Sequence, residues 1–398
     1  MGRGGSYKEL PCTPDFPRTR GSKAASRSYR AFIPAKIADE DFELSGSSAA
    51  LAERAAAAAR ELNAGQSELV SLEGLARQLL RSEALASSQI EGLSISHRKL
   101  AEAELEGRQG HHKAKEIMAN VRAMERAMQI GVDAECVDVD DIRAIHAEMA
   151  IVPPLDKIAG QIREEVSWIG GTAPPDAEYV GPPHERVPPL LEDLCVFMDR
   201  NDLPVMQQAA IAHAQFELIH PFGDGNGRVG RCLIHVLFRR RGIAPNYVPP
   251  VSLVLGANKD AYIAGLERFR EDKVEIWVDR FSRSVEVAAI KATEFSANVI
   301  ACQDNWRKRV ESARSDSAVF PIIDMLPKYP VITAAVAEKE IGRSRPATIN
   351  ALERLAEAKI VTRHRNQKKG DSWEAKELFD LLGEFESEVK LPGPAEAN

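Results

Sequence analysis

The chain has 398 residues, 44% hydrophobic and 6% aromatic, the make-up of a helix-rich globular protein of two or three domains. A net charge of −7 argues against a surface coated for nucleic acid and leaves room only for a local basic patch. The longest apolar runs are too short to span a bilayer and the N-terminus lacks an apolar signal core, so the expectation is a cytoplasmic protein with no membrane partner.

Residues 1–30 carry basic residues, Gly, Ser and Pro, and read as a flexible tail. Residues 31–110 read as an N-terminal helical region. Its Ala-rich first helix, about 48–63, ends at Asn63-Ala64-Gly65. In the next, Leu72, Leu75, Leu79, Leu80 and Ala84 follow helical spacing. That helix runs through Ser87-Ser88-Gln89-Ile90-Glu91 and stops at Gly92. Glu91 then sits in the last turn, where the helix dipole disfavours a carboxylate by about 0.3–1 kcal/mol. Solvation accommodates it, or a cation from elsewhere does.

A larger helical block, 111–300, follows. Helical patterns cover 113–129 and 140–149; His111 and His112 read as solvent-exposed, and His146 as a packing or capping residue. Val166-Ser167-Trp168-Ile169 has strand chemistry, Gly170-Gly171 can turn the chain, and a short hairpin results. Leu190, Leu191, Leu194, Phe197 and Met198 make an amphipathic helix. The Ala-rich stretch 206–219 reads as helical, with His213 packing. Leu233-Ile234-His235-Val236-Leu237-Phe238 should be a central, buried helix, closed by Arg239-Arg240-Arg241-Gly242 with cations at its negative end. The five cysteines are scattered without metal-ligand spacing and read as reduced thiols, Cys232 as a buried one. Further helices lie near 258–270 and 275–293.

Residues 315–385 read as a separate module. A short helix at 333–340, a turn at Ile341-Gly342-Arg343 and a longer helix opened by Pro346 precede a two-stranded wing around Arg363, Gly370 and Trp373. This resembles a winged helix-turn-helix. Arg343, Arg345, Arg363, Arg365, Lys368 and Lys369 would meet DNA phosphates, so DNA is a candidate partner through 333–373, with protein binding as the alternative. Residues 386–398 read as a polar tail.

The chemistry concentrates in His220-Pro221-Phe222-Gly223-Asp224-Gly225-Asn226-Gly227-Arg228-Val229-Gly230-Arg231. Asp224 suits a hard divalent cation, and Gly225-Asn226-Gly227 at a helix start can turn N–H groups to an anion. Arg228 and Arg231 share a helix face and offer two forks for phosphate. His220 is the nearby group suited to taking a proton at neutral pH. The stretch also satisfies G-x-G-x-x-G, but a helix rather than a strand precedes it, so a dinucleotide fold is disfavoured. A calcium-loop template lacks its closing acid, and no P-loop occurs.

The stretch resembles the full signature of the Fic family, H-x-F-x-[D/E]-G-N-G-R-x-x-R, at every fixed position. The resemblance implies an all-α fold: a Fic helical core at 111–300 with a short β-hairpin flap, alongside the C-terminal winged helix-turn-helix. It implies transfer of AMP from ATP with Mg²⁺ onto a Ser, Thr or Tyr hydroxyl of a target protein. His220 would be the base and Asp224 the Mg²⁺ ligand; Gly225, Asn226 and Gly227 would cradle phosphate and Arg228 and Arg231 would hold the outer phosphates. Tyr262 falls where the family places an adenine-wall aromatic, with plain packing as the alternative. Ser87-x-x-x-Glu91-Gly92 resembles the family's inhibitory motif, implying that Glu91 pairs with Arg231 and blocks the γ-phosphate position. Val166, Ser167, Trp168, Ile169 and Gly170 resemble the flap that takes target backbone as an added strand. The alternatives are a DNA-binding regulator whose Fic core senses nucleotide, and a Fic enzyme that removes AMP or uses another donor. A homodimer is left open.

Overall fold

The structure, a computed structural model, describes residues 4–12, 28–64, 72–106, 112–314, 316–365 and 370–389. Most of the expected N-terminal tail, Gly65, His111, Lys368, Lys369 and residues 390–398 lie outside the described residues. In chain order the first elements are β1 (Ser6–Pro11), β2 (Ser28–Ile33), α1 (Gly46–Ala64), α2 (Leu72–Ile90), α3 (His97–Glu106), α4 (His112–Asp133) and α5 (Val139–Met149). Next come β3 (Trp168–Ile169), β4 (Tyr179–Val180), α6 (Val187–Asp199), α7 (Val205–Ile219), α8 (Asn226–Arg240), α9 (Val251–Ala257), α10 (Lys259–Arg270) and α11 (Val274–Arg309). The chain closes with α12 (Val319–Met325), β5 (Val331–Thr333), α13 (Ala334–Ile341), α14 (Arg345–Glu357), β6 (Thr362–His364), β7 (Ser372–Glu374) and α15 (Lys376–Glu388). The fold is mostly helical, as expected, with small antiparallel sheets.

The chain forms two compact units whose segments interleave. One holds Met1–Ala56, Arg122–Ile243 and Lys259–Arg283; the other holds Ala57–Val121, Ala244–Asn258 and Ser284–Asn398.

The first unit is built on α7 and α8. Small residues of α7 (Ala209, Ala210, Ala212 and Ala214) are buried, and Gly230 of α8 meets α7 at close range. A Cβ at Gly230 would stand 2.8 Å from Glu217 Oε1 and 3.1 Å from Phe216, so a side chain at this crossing would require its neighbours to shift. Trp277 and Phe281 of α11 are fully buried, each worth about 1.5–3 kcal/mol of transfer free energy. The Trp277 indole donates to the Ala210 carbonyl at 2.7 Å, which removes the penalty of burying its N–H. Asp138 and Asp141 form a capping box at the start of α5.

Gly242 ends α8 at φ 67°, as the glycine after the arginine run suggested. Arg240 pairs with Asp199 at 3.1 Å and Arg241 donates to Gln208 Oε1 at 2.6 Å, so these cations brace the fold.

Two expectations change in this unit. The stretch read as a flexible tail contains β1, antiparallel to β2 from Ser6↔Ile33 to Pro11↔Ser28. Tyr7 packs edge-on to Phe32 at 5.2 Å and lies under the Arg30 guanidinium at 4.3 Å, contacts that a composition average does not register. The flap hairpin also does not turn tightly at Gly170-Gly171. Its connection runs through a short 3₁₀ turn at Pro174–Asp176 before β4.

In the second unit, α2 and the later part of α11 share a core with α12 to α15, centred on Leu75, Leu79, Trp306, Ile322, Leu352 and Trp373. β5, β7 and β6 form one antiparallel sheet in that spatial order. Thr333 caps α13 through its side chain, and Gly342 ends it at φ 64°. α15 runs to Glu388, into the stretch expected to be a polar tail.

Candidate active site

His220 is the residue that ends α7. It adopts φ 48° and ψ 61°, the left-handed region, while its N–H still bonds the Phe216 carbonyl at 2.9 Å. For a non-glycine residue this conformation is strained by about 1–2 kcal/mol, so the surroundings must hold it. Arg163 does much of that. It is 7% exposed; its Nε donates to the His220 carbonyl at 2.7 Å and its terminal nitrogens to the carbonyls of Glu165 (2.7 Å) and Pro182 (2.8 Å). Its own N–H bonds the Pro221 carbonyl at 2.9 Å. Burial lowers its pKa to about 10, still charged at neutral pH.

The imidazole is oriented by Asn226, the first residue of α8. The Asn226 amide is locked against the Phe222 backbone: Oδ1 accepts from the N–H at 2.8 Å and Nδ2 donates to the carbonyl at 2.9 Å. Nδ2 also lies 3.1 Å from His220 Nδ1. An amide nitrogen only donates, so Nδ1 is an acceptor and carries the lone pair of the neutral ring. Ser167 Oγ stands 2.6 Å from the same nitrogen.

The loop between them ends at Gly225, which precedes α8 at φ 82°. The backbone conformation calls for glycine; a Cβ there would also displace the flexible end of the Met149 side chain. The first-turn N–H groups of α8, from Asn226, Gly227 and Arg228, have no preceding carbonyl within the helix. Arg228 is 4% exposed, and its Nε has no hydrogen-bond partner among the described residues. A buried guanidinium N–H left unmatched beside a helix start suits an anionic ligand. Arg231 is 1% exposed on the same helix.

Asp224 keeps a largely exposed side chain, 61%, 3.6 Å from Arg228. No cluster of three or more His, Cys, Asp or Glu suited to a metal occurs among the described residues. One exposed carboxylate beside an anion cradle fits a Mg²⁺ that arrives on phosphates, because that ion keeps waters and takes one or two protein oxygens.

His146 joins these parts. Fully buried, it accepts from the Gly160 N–H at 2.9 Å through Nδ1 and lies 3.1 Å from the Asp224 carbonyl through Nε2. Its ring stacks on Phe222 at 3.9 Å. Burial pulls its pKa to about 4, so it is neutral at pH 7 and Nε2 is the donor. Its type was legible as packing or capping; its bridge from the flap entry to the signature loop was not. Nothing in the sequence marks Arg163 as the clamp either, apart from its place in the flap resemblance.

In the flap, Trp168 pairs with Val180 and Ile169 with Tyr179, and Ile169 is 46% exposed. Gly170 and Gly171 have φ of 73° and 66°. A Cβ on Gly171 would sit 2.5 Å from the Asp176 carbonyl oxygen. Val166 packs with the small cluster of Tyr29, Ala31 and Val180.

Tyr262 is 4% exposed, its hydroxyl 2.8 Å from His213 Nε2 and its ring 6.0 Å from Trp277. It packs in the core of the first unit, the second of the two readings its sequence position allowed. The inhibitory-motif residues lie in the second unit. Ser87 is buried in α2, Glu91 is exposed just past its end, and Gly92 follows at φ 83°. The end of α2 is held by Asn120 of α4, whose Nδ2 donates to the Ala84 carbonyl at 3.0 Å and to Ser88 Oγ at 3.1 Å.

A histidine that ends one helix, a glycine-lined start of the next and buried arginines give this helical protein a loop suited to a phosphorylated ligand. Residues 136–238 match the Fic/DOC family and residues 49–129 match the Fic/DOC family N-terminal region. The chain belongs to the Fic/DOC family. It is 33% identical over 116 residues to protein adenylyltransferase fic-1 of Caenorhabditis elegans, covering 28% of this chain and 21% of that protein. It is 32% identical over 120 residues to a probable protein adenylyltransferase, aq_aa38, of Aquifex aeolicus, covering 30% of this chain and 34% of that one. The chain thus spans about a fifth to a third of these relatives' lengths. A Fic family protein from Desulfovibrio desulfuricans shares the fold, with a TM-score of 0.53 at 20% identity over 84% of this chain and 97% of that one.

Proposed function

We propose that this chain is a protein adenylyltransferase that moves AMP from ATP–Mg²⁺ onto a hydroxyl of a target protein. The observation that carries this is the lone pair of His220 Nδ1, fixed by Asn226 at the start of the helix that would hold the phosphates. The relatives named as adenylyltransferases support it.

In this reading the ATP phosphates lie on the first turn of α8. Gly225, Asn226 and Gly227 bring backbone close to them, and Arg228 and Arg231 bind the outer phosphates. Asp224 would hold the Mg²⁺ that comes with the nucleotide, which would offset phosphate charge. The flap presents a target residue along Val166, Ser167, Trp168, Ile169 and Gly170 by main-chain pairing, so target sequence matters little. His220 removes the hydroxyl proton as the oxygen attacks the α-phosphorus, and pyrophosphate leaves. The His220→Ala variant should lose about 10²–10⁴ in transfer rate from labelled ATP. Transfer within threefold of wild type would remove His220 from this role.

Glu91, with Ser87 and Gly92, is proposed as the brake, on the motif and on the exposed carboxylate at a helix end that lacks basic residues in its last turn. The Glu91→Gly variant should transfer more label than wild type; equal or lower transfer rejects the brake.

The order strand, helix, turn, helix and two strands at β5 to β7 supports reading 315–385 as a winged helix-turn-helix.

A further inference from the structure

The acceptor of the reaction proposed above is a hydroxyl on another protein, yet a hydroxyl of this chain already stands at the base. Ser167 Oγ lies 2.6 Å from His220 Nδ1, the nitrogen that the locked Asn226 amide marks as the proton acceptor. Of the two donors on that nitrogen, only the serine oxygen keeps lone pairs with which to attack phosphorus. Ser167 and His220 border a cleft of about 600 Å³ with Ile162, Glu164, Trp168 and Gly223.

The strand beside Ser167 fixes it there. The Ser167 carbonyl accepts from the Gly181 N–H at 3.0 Å, and the next residue, Trp168, pairs with Val180. Only the single side-chain torsion of serine is then left to move the oxygen. Hydroxyl, base and phosphate-binding turn meet through two hydrogen bonds, Ser167 to His220 and His220 to Asn226. A reacting pair held in this way gains the advantage of an intramolecular step.

We infer that Ser167 is itself a modification site: a nucleotide bound on α8 is transferred in cis to its Oγ. The inference rests on the transferase reading above. His220 Nδ1 takes the Ser167 proton as Oγ bonds to the α-phosphorus. The bond from that phosphorus to the bridging oxygen of the pyrophosphate breaks, and pyrophosphate leaves. The product is a nucleotide monophosphate ester on Ser167, and the imidazolium returns its proton to water. That ester covers the base and fills the cleft, so the chain limits its own turnover on other proteins.

The test uses the full-length Glu91→Gly chain with labelled ATP and Mg²⁺, followed by peptide mass mapping. The adduct is expected on the peptide containing Ser167. It should be lost in Ser167→Ala, whose thermal unfolding should match that of the parent, and lost in His220→Ala. Its first-order rate constant should hold over a tenfold dilution of protein. Label on other residues with Ser167 unmodified, or a rate constant that falls with dilution, overturns the cis site and leaves the transferase reading standing. No transfer to this chain or to any added protein overturns both.

Discussion

His220 illustrates how neighbours fix both the backbone and the ring of a single residue. A histidine at a helix end prefers neither the left-handed region nor one particular tautomer; here Arg163 secures the backbone and Asn226 the ring. Arg163 carries this out with carbonyl partners only, so removing it strands several buried acceptors. We expect Arg163→Met to destabilise the fold by on the order of 2 kcal/mol or more, read by denaturant unfolding. A change under 0.5 kcal/mol would contradict the clamp.

Two buried histidines add a pH dependence. Burial lowers the pKa of His146 to about 4 and that of His213 to about 3. Both are neutral in the fold and protonate more readily once unfolded, where the ordinary value is 6.5. Their contribution is therefore present above pH 6.5 and lost as pH falls from there toward 4. For His146 the loss is on the order of 3 kcal/mol. Unfolding free energy measured from pH 7 to 4 should fall, and His146→Asn should flatten the slope. A flat wild-type profile would contradict the assignment.

At this scale the signature was legible because its residue types are rare together. His220, Asp224, Asn226 and Arg228 lie near one another through a loop and one helix turn, and local sequence determines such geometry. Arg163 and His146 reach the same place from far along the chain, and no local pattern predicts that.

Among the elements, the flap depends on two residues with positive φ. Gly171 leaves no room for a Cβ against the Asp176 carbonyl. We expect Gly171→Ala to raise the KM for a protein target several-fold while that for ATP stays within twofold, because in the function proposed above the flap meets the former only. Equal rises would place the flap's influence on the nucleotide site as well.

The helices α13 and α14 and the pairing of β6 with β7 were legible, from Gly342, Pro346 and the wing residues, whose chemistry is local, whereas the third strand, β5, was not expected, because Thr333 reads as helix in the sequence. The strand pairing of β1 with β2 was not, because tail-like composition hides a few well-placed aromatics. The same module bears on the DNA reading. The Arg363 guanidinium is held by Asp371 and by Glu353 at 2.5 Å, and Arg345 lies 3.8 Å from Glu338. Cations already matched by carboxylates gain less from phosphate. Gel shifts with duplex DNA should therefore show only weak binding that vanishes by physiological salt. A tight complex at that salt would favour the regulator.

For the whole molecule, two interleaved units explain why a linear reading of domain borders misleads: α1, α4 and α11 each contribute residues to both. Composition shifts along a chain report segments, whereas compactness is set by which helix faces find partners. The account of function rests on one chemical event at the first unit's helix junction. It is tested most directly by measuring transfer of label from α-labelled ATP to protein with Glu91→Gly and with Glu91→Gly/His220→Ala. We expect covalent label from the former and its near-complete loss from the latter at matched folding and ATP affinity. Comparable labelling by both, or none by either, would contradict the account.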